Sequence, residues 1–148
     1  NVQLEIYDGR IRIQSPSLCE GYWPKGMQVT DKWLETPDRG FLDKNANLHI
    51  TGRLDRVIIT GGEKVDPTEV EATLLKLPDV EEVLVIGVED AEWGQKAVAF
   101  VVGEAEGLKE KMGSALPSFK KPKAIIQVET LPLDEYGNVD WAIIQSLI

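Results

Sequence analysis

The period of the hydrophobic pattern changes near residue 52, and this change constrains the fold of the chain more than any other feature. Before it, apolar and polar residues alternate along two pairs of short segments, within 2–14 and within 41–50. After it, short β-branched runs alternate with longer amphipathic segments. A period of two predicts hairpins, whereas the mixture that follows predicts an α+β arrangement. We therefore expect two parts, residues 1–52 and residues 53–148.

The first part is predicted to be a small β-barrel or twisted sheet built from hairpins. Asp8 and Gly9 separate the first two alternating segments, and this residue pair favours a type I′ turn. A polar segment at 43–47 separates the second two. Residues 15–44 are rich in proline, glycine and tryptophan and show little periodicity.

The second part is predicted to be a compact α+β domain with a short hairpin, a three-stranded sheet and about three helices. The first helix is expected after Asp66, which can cap it, with Pro67 in the first helical position and Glu69 placed as in a capping box. The strands are expected at 83–88, 97–102 and 125–128, the first of them central, and further helices at 108–116 and 141–148.

Length and composition restrict the class of protein. A chain of 148 residues suits one ordinary domain, or a small domain with part of a neighbour. Its 25 acidic and 16 basic residues give a net charge of -9, which repels a phosphate backbone and makes nucleic acid an unexpected partner. No signal-peptide pattern and no apolar run of about 20 residues is present, so we expect no transmembrane segment. The single cysteine, Cys19, excludes an internal disulfide and favours the cytoplasm.

Isolated reactive side chains give little indication of chemistry. His49 is the single histidine and falls on a predicted strand, so we interpret it as structural. Without a second imidazole or a thiol cluster, the sequence predicts no metal site. The basic cluster at 119–123 is typical of a solvated edge, with contact to the phosphate groups of a ligand as the alternative.

Three segments carry longer motifs. They are GYW at 21–23 followed by WLETPDRGFLD at 33–43; ITGRLDRVI at 50–58 followed by GGEKVDPTEVE at 61–71; and LPLDEYGNVD at 131–140. In this order they resemble the adenylate-forming superfamily of acyl-CoA synthetases, luciferases and peptide-synthetase adenylation domains. The resemblance covers nearly the whole chain, and the second segment is highly specific.

The resemblance assigns nucleotide contacts to two residues and a hinge to a third. Asp38 corresponds to the aspartate that accepts hydrogen bonds from both ribose hydroxyls, and Arg53 to an arginine that contacts ribose or phosphate. Asp55 corresponds to the hinge about which the smaller domain rotates between two catalytic poses. The alternatives are a surface turn residue for Asp38 and a surface ion pair for Arg53. Pro37 replaces a family glycine and is expected to shift this segment.

Two further segments are assigned by the same resemblance. Gly61 and Gly62, flanked by Glu63 and Lys64, would line the tunnel for the pantetheine arm of CoA; taken alone, the two glycines indicate a tight turn. Asn138 stands where the family has a lysine that contacts the acyl carboxylate and the α-phosphate. Losing such a charge is expected to slow adenylation by about 10² to 10³.

Within the superfamily, Gly61-Gly62-Glu63, the segment EWGQ at 92–95 and the short closing segment look most like o-succinylbenzoate:CoA ligases of menaquinone or phylloquinone synthesis. The resemblance implies an ATP-dependent ligase that adenylates a carboxylic acid and passes the acyl group to CoA, with Mg²⁺ bound outside this segment. The chain would be the C-terminal portion, inert without its N-terminal adenylation domain. The alternatives are a non-catalytic nucleotide- or partner-binding module and an adenylation domain that serves a carrier protein. The sequence leaves the acid and the oligomeric state open.

Overall fold

A computed structural model of the chain describes residues 2–18, 29–30 and 32–148. The chain divides into two compact units, of which the first ends at Asp55 and the second begins at Arg56. The expected part boundary at 52–53 and the hinge at Asp55 stay predictions. Cys19 and the GYW motif at 21–23 lie outside the described residues.

The first unit is a five-stranded antiparallel sheet among the described residues. Its strands are β1 (Gln3–Tyr7), β2 (Arg10–Gln14), β3 (Val29–Thr30), β4 (Trp33–Leu42) and β5 (Leu48–Arg53). They lie in the order β1-β2-β4-β3, and β5 also pairs with β4. Both predicted hairpins are confirmed. Asp8 and Gly9 have φ values of 50° and 75°, the positive pair that a type I′ turn requires.

The second unit contains the other sheet and the helices. Its strands are β6 (Ile58–Thr60), β7 (Glu63–Val65), β8 (Val80–Asp90), β9 (Gly94–Gly103) and β10 (Ala124–Gln127), and its helices are α1 (Pro67–Leu74), α2 (Leu108–Lys111) and α3 (Trp141–Leu147). The β6–β7 hairpin joins the three longer strands through one pairing, Thr60 with Gly94, so that all five form one sheet. The predicted α+β class is confirmed. None of the helices in the described part of the chain is long and apolar enough to cross a membrane.

Strand β9 lies at the centre of the second unit and is buried on both faces. It runs antiparallel to β8 and parallel to β10. Residues 97–101, all apolar, are at most 2% exposed. Val101 lies in a cluster with Val70 and Leu74 of α1, whereas Phe100 lies in a cluster with Ile144 of α3. A strand covered on both faces requires this continuous apolar run rather than an alternating pattern.

Three details of the predicted second part are wrong. The central strand is β9 and not β8, because β9 carries hydrogen-bonded neighbours on both edges. Helix α2 ends at Lys111, because Gly113 adopts a φ of 49° and stops the helix. Glu69 does not complete a capping box, since its two carboxylate oxygens accept hydrogen bonds from Lys120 at 2.9 and 2.7 Å. The Asp66 cap is confirmed: its carboxylate accepts from the Thr68 N–H at 2.9 Å.

Candidate functional site

The position of Asp38 follows from a proline in the middle of a strand. Strand β4 bulges against β2, where Arg10 pairs with Arg39 but Arg12 pairs with Glu35. Pro37 falls inside this bulge and has no N–H to give to a neighbouring strand. At this point the buried Thr36 hydroxyl connects the two strands by donating to the carbonyl of Ile11 at 2.9 Å. The same hydroxyl accepts a hydrogen bond from the Asp38 N–H at 3.2 Å. The backbone of Asp38 is therefore fixed on the sheet.

Asp38, Arg53 and Asp55 form one ionic cluster within the first unit. The β4–β5 register places Asp38 opposite Arg53. The Arg53 guanidinium donates from Nη1 to Asp38 Oδ1 at 3.1 Å, and from Nε and Nη2 to the two Asp55 oxygens at 3.0 and 2.6 Å. The hydrogen bond to Asp55 raises the pKa of the Arg53 guanidinium above its ordinary value. The three side chains are 28 to 52% exposed, so the cluster is open to a ligand.

The structure brings together the two residues that were predicted to contact the nucleotide. Asp38 lies in β4 and not in a turn, so the turn-residue alternative is wrong. The ion-pair alternative for Arg53 describes the observed geometry, with two carboxylate partners. The contacts of Asp38 and Arg53 with ribose or phosphate remain predictions.

The two glycines at 61–62 form the turn of the β6–β7 hairpin. Gly61 and Gly62 have φ values of 57° and 86°, which only glycine adopts without strain. A methyl group built on Gly61 would lie 2.7 Å from Cε3 of Trp93, whereas one on Gly62 meets nothing within 4 Å. The next two residues, Glu63 and Lys64, are exposed on β7. The turn is therefore accessible on one side and packed against an indole on the other.

The EWGQ segment supports this turn. The Trp93 carbonyl accepts from the Gly61 N–H at 2.9 Å, and the Gln95 side-chain oxygen accepts from the Ile59 N–H at 2.9 Å. The Lys123 ammonium lies 4.7 Å from the centroid of a Trp93 ring, a cation–π contact. Two of the three segments that suggested the subfamily, about 30 residues apart in the sequence, thus meet in one cluster. The motifs gave Trp93 and Gln95 no role, whereas the structure shows that both hold the glycine turn in place.

The closing loop (residues 134–138) is held by its first side chain. Asp134 Oδ1 accepts from the N–H groups of Tyr136 and Asn138 at 2.9 and 2.8 Å. The other oxygen, Oδ2, accepts from the side-chain amide of Asn138 at 3.2 Å. Gly137, with φ 81°, completes the turn by donating to the Asp134 carbonyl at 3.0 Å. These bonds, led by the backbone bond from Asn138, lower the pKa of the Asp134 carboxyl.

The first unit contains a second loop with the same hydrogen bonds, which we name the hairpin loop (residues 43–47). Asp43 Oδ1 accepts from the N–H groups of Asn45 and Asn47 at 2.8 and 2.9 Å, and Oδ2 accepts from the Asn47 amide at 3.1 Å. Ala46, with φ 62°, takes the place of the glycine and donates to the Asp43 carbonyl at 2.9 Å. Both loops follow the pattern Asp-x-x-x-Asn. Asn138 therefore closes a turn, and its amide contacts Asp134.

The role of Asp134 was missed by the sequence motifs, which directed attention to position 138. The signal that identifies it was present, because the Asp-x-x-x-Asn spacing occurs at both 43–47 and 134–138. Asp and Asn side chains favour local bonds to backbone N–H groups a few residues on. The hairpin loop thus provides an internal control for any substitution in the closing loop.

The hairpin loop also gives a pH-dependent prediction. The His49 ring and the N–H of Asn47 are the leading contacts that lower the pKa of Asp43 from 3.8 to about 2. A folded-state pKa below the unfolded value of about 3.9 means that this carboxylate stabilises the fold above that value and loses its contribution as the pH falls toward 2. We expect the stability difference between wild type and Asp43→Asn to shrink between about pH 5 and about pH 2.5. Urea unfolding at both pH values tests this, and an unchanged difference contradicts it.

The remaining candidates take part in local contacts. His49 lies on β5, where its ring stacks on Phe41 with 5.0 Å between centroids and meets Asp43 at 3.1 Å. In the basic cluster at 119–123, Lys120 pairs with Glu69 of α1. Among the residues that the structure describes, no group of three or more His, Cys, Asp or Glu side chains is placed to hold a metal ion.

Known proteins match both the sequence and the fold. Residues 69–138 match the family described as the AMP-binding enzyme C-terminal domain. The 2-succinylbenzoate–CoA ligase of Listeria innocua is 40% identical over 140 residues, which are 89% of this chain and 30% of that protein. The long-chain-fatty-acid–CoA ligase FadD13 of Mycobacterium tuberculosis is 35% identical over 141 residues, 89% of this chain and 28% of that protein. The structure of o-succinylbenzoate CoA synthetase from Bacillus subtilis with its acyl-adenylate superposes with a TM-score of 0.75 and 27% identity, over 97% of this chain and 34% of that one.

The second unit, a five-stranded sheet covered by helices with a glycine hairpin and a closing loop, is thus the C-terminal domain of an AMP-binding enzyme. Over 89% of its length the chain is similar to curated CoA ligases, and in fold it is similar to an adenylate-forming CoA synthetase. It spans 28% to 30% of the length of these two curated relatives.

Proposed function

We propose that the protein carrying this chain is an ATP-dependent acyl-CoA ligase, which adenylates a carboxylic acid and then forms a thioester with CoA. The observation that carries the proposal is the similarity, over 89% of the chain, to proteins named as CoA ligases. A mixed anhydride with AMP makes the carboxylate a competent acyl donor for the CoA thiol. On its own this chain is expected to be inert, since an N-terminal adenylation domain must hold the acid and the triphosphate.

The exposed cluster of the first unit supports a nucleotide-binding role. Asp38 offers two carboxylate oxygens on a fixed backbone, which suits two neighbouring ribose hydroxyls. Arg53 beside it offers N–H groups to oxygen-rich ligands. The turn of Gly61 and Gly62, accessible on the Gly62 side, lets backbone approach the thin pantetheine arm closely, with Glu63 and Lys64 next to it. Asp55 remains the proposed hinge.

For the acid, o-succinylbenzoate is the first candidate, which would place the enzyme in menaquinone or phylloquinone synthesis. Two of the similar proteins are named for this acid. The contact between the segments at 61–63 and 92–95, which suggested this subfamily, adds support. A long-chain fatty acid is the competing candidate, because FadD13 is similar at 35% identity.

The test uses the full gene product that carries this chain. Thioester formation is measured from preformed o-succinylbenzoyl-adenylate plus CoA and, separately, from palmitoyl-adenylate plus CoA, while ATP–pyrophosphate exchange is followed with each free acid. We expect faster thioester formation from o-succinylbenzoyl-adenylate. Faster reaction of palmitoyl-adenylate would support the ligase with a fatty acid as its substrate. No thioester from either adenylate would favour the binding module or a different acid.

One observation favours a second candidate, a module that binds a nucleotide or partner without ligating. The amide of Asn138, at the position of the family lysine, contacts Asp134. The closing loop therefore carries acidic groups at 134 and 135 and no cation. A gene product that binds AMP but performs neither half-reaction would support this candidate.

A further inference from the structure

The Asp38–Arg53–Asp55 cluster has an asymmetry that the individual residue roles do not explain. Arg53 makes two hydrogen bonds to Asp55 and one to Asp38. Its shortest contact, 2.6 Å, is to Asp55, the residue at the end of the unit, and not to the residue predicted to hold ribose. The carboxylate at the unit boundary therefore fixes the direction of the guanidinium.

Chemistry limits what this arrangement can do. A guanidinium has five N–H groups in a rigid plane, and the three bonds in the cluster use one each on Nε, Nη1 and Nη2. Each terminal nitrogen has a second N–H that these three bonds do not use. A carboxylate also has about four acceptor positions, so Asp38 can keep its bond to Arg53 and still accept from two hydroxyls. A ligand can therefore bind at Asp38 while Arg53 keeps its two hydrogen bonds to Asp55.

We propose that Asp55 is a positioning residue for the nucleotide: it holds Arg53 in place beside Asp38, and nucleotide binding in turn restrains the chain at 54–56. This inference rests on the proposed function, because it assumes a nucleotide at Asp38. Asp55 itself does not touch the ligand. Fixing the long arginine side chain beforehand removes part of the entropy that binding would otherwise cost.

The effect of Asp55 on nucleotide affinity and the effect of the nucleotide on the Arg53–Asp55 pair must be equal, because a single coupling free energy describes both. If Asp55 increases the affinity for the nucleotide through Arg53, the nucleotide strengthens the pairing of Arg53 with Asp55 by the same factor. Residues 54–56, a turn of 3-10 helix that includes the boundary between Asp55 and Arg56, would then open less often when the nucleotide is bound. Exposed ion pairs of this kind are worth about a two- to five-fold change in affinity.

The test measures AMP binding to the full gene product by calorimetry, together with amide hydrogen exchange at 54–56. For Asp55→Asn we expect a two- to five-fold weaker affinity and loss of the AMP-dependent slowing of exchange. Asp55→Glu, which keeps both oxygens, is expected to bind AMP nearly as wild type does. In an Arg53→Lys background, which lacks the planar fork, Asp55→Asn is expected to have no further effect.

Asp79→Asn serves as the matched control, since Asp79 forms an exposed ion pair with Lys111 at 2.7 Å in the second unit. It is expected to leave AMP affinity and exchange at 54–56 unchanged. Equal weakening by Asp55→Asn with Arg53 or Lys at position 53 would overturn the inference, as would an unchanged affinity with Arg53 present. A wild-type gene product that does not bind AMP at all would overturn the proposed function and this inference with it.

Discussion

Replacing Asn138 by lysine is expected to raise the rate of ATP–pyrophosphate exchange by the full gene product by about 10² to 10³. In the proposed reaction, negative charge develops on the carboxylate and the α-phosphate, and an ammonium group at position 138 would stabilise it. Asparagine carries no charge, and the amide of Asn138 donates to Asp134. Thioester formation from preformed acyl-adenylate is expected to change little, because this step does not need that charge.

The loop geometry makes the lysine substitution interpretable. The Asp134 carboxylate is bonded to the backbone N–H groups of Tyr136 and Asn138, and these bonds do not depend on the side chain at 138. The loop is therefore expected to keep its shape with lysine at position 138. The lysine side chain is not needed to hold the loop, so its ammonium group can contact a ligand.

Asn47→Lys is the matched control, because Asn47 makes the same side-chain and backbone bonds in the hairpin loop of the other unit. It is expected to leave both half-reactions unchanged. Fast exchange by the wild-type protein would show that another residue supplies the charge. Failure of Asn138→Lys to raise a slow exchange would instead favour the non-catalytic module.

The second prediction compares alanine at Gly61 and at Gly62. Both residues have positive φ, so each substitution is expected to destabilise the fold by about 1 to 2 kcal/mol through backbone strain. At Gly61 the new methyl group would also lie 2.7 Å from Trp93 and push the indole away from its contact with Lys123. Overpacking adds about 1 to 3 kcal/mol, so Gly61→Ala is expected to cost about 2 to 5 kcal/mol in the free energy of unfolding.

Urea unfolding of the two variants measures this difference, and Trp93→Ala isolates its cause. In the Trp93→Ala background the methyl group at Gly61 has room, so the two substitutions at 61 and 62 are expected to cost about the same. Equal costs with Trp93 present would show that the indole moves freely and does not define the turn. If the turn lines the CoA tunnel, Gly61→Ala is also expected to slow thioester formation more than ATP–pyrophosphate exchange.

Local chemistry made several elements predictable. The Asp8-Gly9 turn, the Asp66 cap and the terminal helix starting at Trp141 each depend on residues a few positions apart. Helix α2 was predicted too long because a single glycine in a helical pattern does not by itself rule out a helix. The φ of 49° at Gly113, which ends the helix, is visible only in the folded chain. The continuous apolar run of β9 resembled that of β8, so which of them was central was not visible in the pattern.

The candidate site shows the same division. Motifs pointed to Asp38 and Arg53 separately, but only the β4–β5 register placed them opposite each other. The Arg53 guanidinium contacts Asp38 across the strands and Asp55 two residues along the chain. The contact of Gly61 with Trp93 joins residues 32 positions apart in sequence, a separation that no local pattern encodes.

The α+β class, the two hairpins, the Asp66 cap and the family resemblance could be predicted from the sequence, because turn chemistry, hydrophobic period and motif spacing act over short stretches of chain. Only the folded chain shows that Arg53 lies opposite Asp38 and that Trp93 supports the glycine turn. Both contacts depend on which partner or packing surface lies within contact distance. Strand register and loop closure set that distance, and residue type does not.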